Sequence, residues 1–377
     1  MTEFIIHRAA LLPALSHART IVEARNTIPI MHNLLIAPMD GQINITTSDL
    51  DMQITATVEA VESKAGEGTT MSAARLYQFV SQLGESAQLK FADSDNGRMV
   101  VSAGRSRVTL PTLPARDFPL TQASAPEQEM TLKATKWAHI MEAVGIAVST
   151  EETRYYLNGI FMHIDGDEIA FVATDGHRFR RIRLGVSQIA GDPIGDQDSG
   201  IIIGRKAVAT MQKIIGKAEG DAAISWSQNR LNMRFHDIEM TTKLVDGQFP
   251  DYKRVIPAKN TDKMGTVSTT EFISACTLVK TASDQKNQSA VIGFAGGALT
   301  LDVKNTDSGE CVTEIQAIHS ADMIARANIS YLQDICGSFD TGNMNIHITD
   351  PGNPMYFDLE KQPDHEIHDA VVMPMRL

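Results

Sequence analysis

Apolar residues recur at spacings of three and four in six stretches of the chain, residues 7–25, 71–83, 133–149, 204–218, 268–283 and 320–336. That period predicts amphipathic helices. Between them apolar and polar residues alternate, which predicts half-buried antiparallel strands. The alternation is plainest in "GQINITTSDLDMQI" (41–54), "DEIAFVATDGHRFRRI" (167–182) and "GALTLDVKNTDSGECVTEI" (297–315), where Asp49, Asp175 and Asp307 fall in register. Each of these segments comes after a short strand-like run that leads into a helix, beginning at Glu3, Met130 and Gly265, and each is followed by a second helix.

The order strands, helix, strands, helix, strands therefore occurs three times, and internal repetition of this kind is the strongest fold signal in the sequence. The first two copies also close alike. "GRSRVTLPTLPARDFP" (104–119) and "HDIEMTTKLVDGQFPDYKRVIP" (236–257) both run into a Phe-Pro step at Phe118 and Phe249. The polar segments "TQASAPEQE" (121–129) and "PAKNTDKMG" (257–265) read as joints. The expectation is an α+β protein of three tandem copies of one domain, 1–124, 125–257 and 258–377.

Composition narrows the class. Cys276, Cys311 and Cys336 lack metal-ligand spacing, which predicts neither a disulfide framework nor a zinc site and points to a reducing cytoplasm. No run is apolar enough to span a membrane, and the first residues, with Glu3 ahead of the apolar run, do not read as a signal peptide. The net charge of −12 argues against a nucleic-acid partner until its distribution is considered. The six helical stretches sum to +7, leaving −19 for the rest. Their cations are Arg8, Arg19, Arg25, Arg75, Lys133, Lys136, Arg205, Lys206, Lys213, Lys217, Lys280 and Arg326. Helix surfaces often carry Lys and Arg, but repeated domains can line one common surface with equivalent helices, which would contact phosphates without reading bases.

Candidate chemistry centres on "ATDGHRFRR" (173–181). Asp175 beside His177 could serve general acid–base catalysis or hold a metal. A turn is the stronger reading, with Asp capping and Gly supplying positive φ. Nucleophile elbows, phosphate-binding lysine loops and paired carboxylates are missing from the sequence. "GFAGGAL" (293–299) reads as a turn, and "HEIH" (365–368), one residue short of a zinc helix, reads as a loop after Pro363 and Asp364. The Met-rich terminal "AVVMPMRL" (370–377) suits either a core strand or a surface that accepts several partners, with Pro374 taking the last residues out of the sheet. Three classes stay open on these residues: an enzyme using Asp175 and His177 with a bound metal, a repeat-built scaffold, and a nucleic-acid-associated docking protein.

Several motifs carry a family resemblance. "RNTIPIMHNLLI" (25–36), "RYYLNGI" (154–160), "ATDGHRF" (173–179), "KLVDGQFPDYKRVIP" (243–257), "NISYL" (328–332) and "VVMPMRL" (371–377) resemble, in order and over essentially the whole chain, the bacterial DNA polymerase III beta subunits, the sliding clamps. The resemblance implies a head-to-tail homodimeric ring of six domains, helices facing a channel and sheets outside. Such a ring encircles double-stranded DNA, tethers the replicative polymerase and has no active site or cofactor. It implies a pocket for short peptide motifs of the DNA polymerase III alpha subunit, the clamp loader, other polymerases and repair proteins.

To that pocket the matching motifs assign Leu157, Thr174, Gly176, His177, Arg178, Phe179, Pro250, Arg254 and Val255. They add Asn328 and Tyr331 at its border, and Val371, Val372, Met373, Pro374, Met375, Arg376 and Leu377. Phe179 stands where the family more usually has leucine. Arg25 and the group Arg154, Tyr155 and Tyr156 match positions near DNA, joined by the helix cations Arg75, Lys136, Arg205, Lys206, Lys213 and Lys217. Glu151 stands where relatives carry a neutral DNA-contacting side chain. The ring seam falls to Arg105, Arg107 and Val108, Val108 replacing a frequent aromatic, against Thr281 and Ala282, which are less apolar than usual. The location implied is the cytoplasm, at replication forks on the nucleoid.

Overall fold

A computed structural model describes residues 3–22, 26–94, 97–121, 125–188, 200–284, 288–339 and 342–375. Among the described residues six α-helices stand among antiparallel strands: α1 (Arg8–Ala18), α2 (Ala73–Ser81), α3 (Ala134–Gly145), α4 (Arg205–Ile215), α5 (Thr269–Val279) and α6 (Ile329–Gly337). In the second helix of the first copy and both helices of the third, a polar side chain at the N-cap satisfies otherwise orphaned amides. Ser72 accepts from Arg75 N at the start of α2 and Ser268 from Glu271 N at the start of α5. Asn328 accepts from Ser330 N and Tyr331 N at the start of α6.

The chain divides into two compact units, Met1–Ala138 with Ala209–Leu244, and His139–Val208 with Val245–Leu377. The first holds a single twelve-stranded sheet. Its strands derive from two sequence repeats, and they join where Met52–Glu59 pairs with Ile238–Lys243, Ile54 lying opposite Met240. Its core packs α1 and α2 on the sheet through Leu11, Leu15, Leu76 and Val80, with Phe4 stacked on Phe91 at 4.6 Å.

The second unit holds a nine-stranded and a four-stranded sheet. In the larger, Arg178–Gly185 from the central repeat pairs with Glu366–Val372 from the last, in the register Phe179↔Val371 and Arg181↔Asp369. Its main core gathers Phe272, Cys276, Phe294, Leu332, Cys336, Met344 and Phe357. The central repeat therefore supplies strands to both units.

Two sequence expectations need correction. The stretch 320–336 is helical only from Ile329; Met323–Asn328 is a strand in which Met323, Ala325 and Ala327 are buried in alternation. Small alanines hid that period of two from a reading tuned to large apolar residues. The register of the three aspartates also fails in the third copy. Asp49 and Asp175 each accept backbone N–H bonds across their hairpin turns. In the third copy Asn305 accepts from Asp307 N and Ser308 N, so the turn-forming residue sits two positions earlier.

Candidate peptide-docking site

Three separated segments of the second unit converge on a cavity of about 220 Å3. The turn 174–179, the segment 250–255 and the end of the last strand supply Thr174, Gly176, Arg178, Phe179, Pro250, Asp251, Tyr252, Val255, Val371 and Met373, and Leu157 completes the lining. The turn is fixed locally. Asp175 Oδ1 accepts from the amides of His177 and Arg178 at 2.9 Å, Thr174 donates its hydroxyl to Arg178 O, and Gly176 adopts φ +90°. A side chain at Gly176 would be strained by that φ and would meet the Arg154 guanidinium at 2.9 Å.

Electrostatics tie the cavity wall to α6. Arg178 donates to Asp175 at 3.0 Å and to Asp334 at 2.5 Å, and its guanidinium lies over the Tyr331 ring. The His177 ring stacks on the same tyrosine, centroids 6.0 Å apart. Two residues along the same strand pair from Phe179 and Val371, Arg181 and Asp369 form a buried bidentate pair, and Tyr356 donates to the same carboxylate. Burial raises the pKa of both Tyr252 and Tyr331.

Of the expected pocket residues, Leu157, Thr174, Gly176, Arg178, Phe179, Pro250, Val255, Val371 and Met373 come together here. Arg254 instead lines an adjoining groove of about 660 Å3, which shares Val255 and Met373 with the cavity. Val372 points the other way, into the main core. Strand pairing ends at Val372; Met373 N then bonds His177 O and Met375 N bonds Arg326 O, with Pro374 between. Arg376 and Leu377 lie outside the described residues. Sequence reading missed Asp251 and Tyr252. Tyr252 is 5% exposed and packs against Phe179 at 5.5 Å. The signal was present, since both sit between the assigned Pro250 and Arg254.

The catalytic reading of Asp175 and His177 finds no geometry. Asp175 is bonded to backbone amides and Arg178, and the His177 ring faces a tyrosine rather than a base. Among the described residues no cluster of three or more His, Cys, Asp or Glu is placed to hold a metal. The expected loop at 365–368 is also corrected. Only His365 is a turn residue, at φ +59°, while Glu366 opens the last strand and holds His368, fully buried, at 3.0 Å. Gly296 and Gly297 make a hairpin turn at positive φ.

The helix cations divide into two kinds. Arg75, Arg205, Lys213 and Lys217 are exposed, as is Lys206, while Lys136 is half-buried. Arg8 instead donates to Val80 O and Ser81 O at the end of α2, and Lys133 pairs with Asp221. Arg154 is held by Glu151 at 2.6 Å, which lowers the Glu151 pKa through that hydrogen bond. Tyr155 is exposed and meets Tyr156 edge-on; Arg25 lies outside the described residues. At the expected seam, Arg105 and Arg107 are exposed and Val108 half-buried. Arg105 is in the turn before the strand Ser106–Pro114, which pairs with Arg98–Ala103 along residues 106–111 and with Thr69–Ser72 only from Thr112 onward. Thr281 is exposed and Ala282 buried in a 3-10 turn after α5.

Comparison with known proteins fits this arrangement. The DNA polymerase III beta subunit N-terminal, central and C-terminal domains match residues 2–122, 131–251 and 253–376. The beta sliding clamp of Caulobacter vibrioides is 34% identical over 379 residues, covering 99% of each chain. That of Escherichia coli K12 is 30% identical over 392 residues, covering all of both. Among solved structures, the DnaN sliding clamp of Bartonella birtlesii bound to griselimycin is 31% identical with TM-score 0.90, and that of Pseudomonas aeruginosa bound to griselimycin is 28% identical with TM-score 0.92; each match covers both chains entirely. Three tandem clamp domains, full-length similarity and a shared fold place this chain in the bacterial DNA polymerase III beta subunit family, the beta sliding clamps of DNA replication.

Proposed function

We propose that this chain closes head-to-tail with a second copy into a ring around double-stranded DNA, and that the cavity at 174–179, 250–255 and 371–373 docks short peptide motifs. As a sliding clamp it is a non-catalytic processivity factor. A ring that holds by topology needs only weak, sequence-independent phosphate contacts. Exposed cations on the helical stretches, Arg75, Arg205, Lys206, Lys213 and Lys217, suit that role. The side of residues 106–111 turned away from Arg98–Ala103, which has no strand partner among the described residues, and the turn at Thr281 are the surfaces we assign to the seam. The docked partners are the DNA polymerase III alpha subunit, the clamp loader, and other polymerases and repair proteins, reached in the cytoplasm at the nucleoid. We set the domain joints at 124/125 and 257/258.

The observation that carries the docking reading is the convergence of three distant segments on one largely apolar cavity whose rim, Val255 and Met373, is half-exposed. Exposed apolar side chains around a preformed apolar cavity are the usual marks of a docking site. The test is an anisotropy titration of a labelled Gln-Leu-x-Leu-Phe peptide against the wild-type chain and Val255→Glu. Both residues 255 and 373 are surface-accessible, so the variant should fold. Saturable wild-type binding weakened at least tenfold, about 1.4 kcal/mol, by the new charge is expected. Equal binding by the two would remove the cavity from the docking function.

A further inference from the structure

A second cavity, of about 400 Å3, lies behind the first, and the two share the wall Pro250, Asp251 and Tyr252. The rear cavity is lined by Phe161, His163, Asp165 and Lys253. Phe161 lies between His163 and Phe249, each at 4.8 Å. His163 reaches through to the wall, its Nε2 2.8 Å from the Tyr252 hydroxyl, while its Nδ1 is 3.0 Å from Ile164 O.

The tautomer follows from the partners. A carbonyl can only accept, so Nδ1 carries the hydrogen and the neutral ring presents a lone pair at Nε2. Tyr252 must therefore donate to His163. Its oxygen meanwhile interacts with the Arg181 guanidinium, a donor only. A protonated ring would donate from both nitrogens. The tyrosine hydroxyl hydrogen would lose its acceptor, and a new positive charge would face Arg181 and Lys253. Asp165, paired with Lys253 at 2.9 Å, offsets only part of that charge, and Asp369 is engaged by Arg181. Burial already disfavours the charged ring, lowering the His163 pKa.

We propose that His163 is a positioning residue for the docking cavity: accepting the Tyr252 hydrogen bond fixes the ring that lines the cavity, and protonation of His163 releases it. The proposal rests on the docking reading. It gives the site a sensitivity to acid seated in a histidine outside the cavity's own lining.

The test is the same peptide titration, run from about pH 7.5 down to about pH 4.5, a window carried below the ordinary histidine range because burial lowers the His163 pKa, with His163→Leu, His163→Gln, Tyr252→Phe and the Leu/Phe double variant. Loss of one hydrogen bond should weaken peptide binding about fivefold at neutral pH in His163→Leu and in Tyr252→Phe. The double variant should be no worse than either, as members of one interaction are not additive. His163→Gln, whose amide oxygen can accept from tyrosine, should bind as the wild type does. Wild-type affinity should fall on acidification, and His163→Gln should abolish that fall; a fall surviving the substitution would overturn the proposal. Additive losses in the double variant, or unaltered binding by His163→Leu, would overturn it too. Tyr252→Phe keeps the ring and its packing, so it decides the matter if His163→Leu fails to fold. A wild-type chain that binds no peptide would sink the docking reading and this inference together, whereas wild-type binding with an indifferent His163→Leu sinks this inference alone.

Discussion

Replacing Asp369 by asparagine should loosen the strand that delivers the last wall of the cavity. Asp369 is buried, its side chain 1% exposed, and receives two hydrogen bonds from Arg181, 2.9 Å from Nε and 2.5 Å from Nη2. Tyr356 donates a third at 3.0 Å. Burial opposes the charge on Arg181, yet its hydrogen bonds and the field of Asp369 more than offset that and raise its pKa above the ordinary value. The guanidinium cannot shed its proton when the carboxylate is gone. An uncompensated buried charge remains, and breaking such a pair costs about 3–5 kcal/mol.

The loss should be local before it is global, because Arg181 and Asp369 face each other across the same two strands that carry Phe179 opposite Val371. Amide hydrogen exchange of residues 366–372 is therefore the assay. A loss of 3 kcal/mol corresponds to roughly hundredfold faster exchange through local opening. Removing both charges with similar volume, as Arg181→Met with Asp369→Leu, should restore most of the protection, since buried pairs are often replaceable by apolar ones. Exchange in Asp369→Asn within about tenfold of wild type would refute the reasoning. So would a double variant less protected than the single one.

Two further outcomes follow. If the exposed cations of α4 and its C-terminal extension contact phosphates, Lys213→Ala and Lys217→Ala should each flatten the salt dependence of duplex binding, reducing the log–log slope by about 0.9. A slope that ignores both would favour a scaffold that never meets DNA. The buried His368, whose pKa burial lowers to about 4, should set an acid limit on stability. Below its unfolded value of 6.5 the unfolded chain takes up a proton that the folded chain refuses until about pH 4, so stability is full above 6.5 and falls between those values. The loss approaches about 3 kcal/mol. Urea midpoints measured from pH 7 to pH 4 should show it, and a His368→Gln chain with the same slope would refute it.

The sequence carried the repeat, the helices and most of the cavity because these rest on local signals. Period, capping residues and turn chemistry at 174–178 are set by neighbours in the chain, and the Phe-Pro step at Phe249 places its own segment. What it could not carry was pairing across distance. Nothing near Arg178 in sequence foretells Asp334, 156 residues away, and nothing near Arg181 foretells Asp369. A count of helix cations is blind to the same thing. Arg8 and Lys217 are equal in a tally of charge, but Arg8 spends its donors on the carbonyls ending α2, 72 and 73 residues on, while Lys217 stays exposed. Tyr252 shows the limit most sharply. Its ring belongs to the cavity through Phe179, and its hydroxyl belongs to His163, 89 residues earlier. A motif names the residue; only the fold shows that it has two sides, and that the histidine behind the cavity is a more specific test of this chain than any residue in front of it.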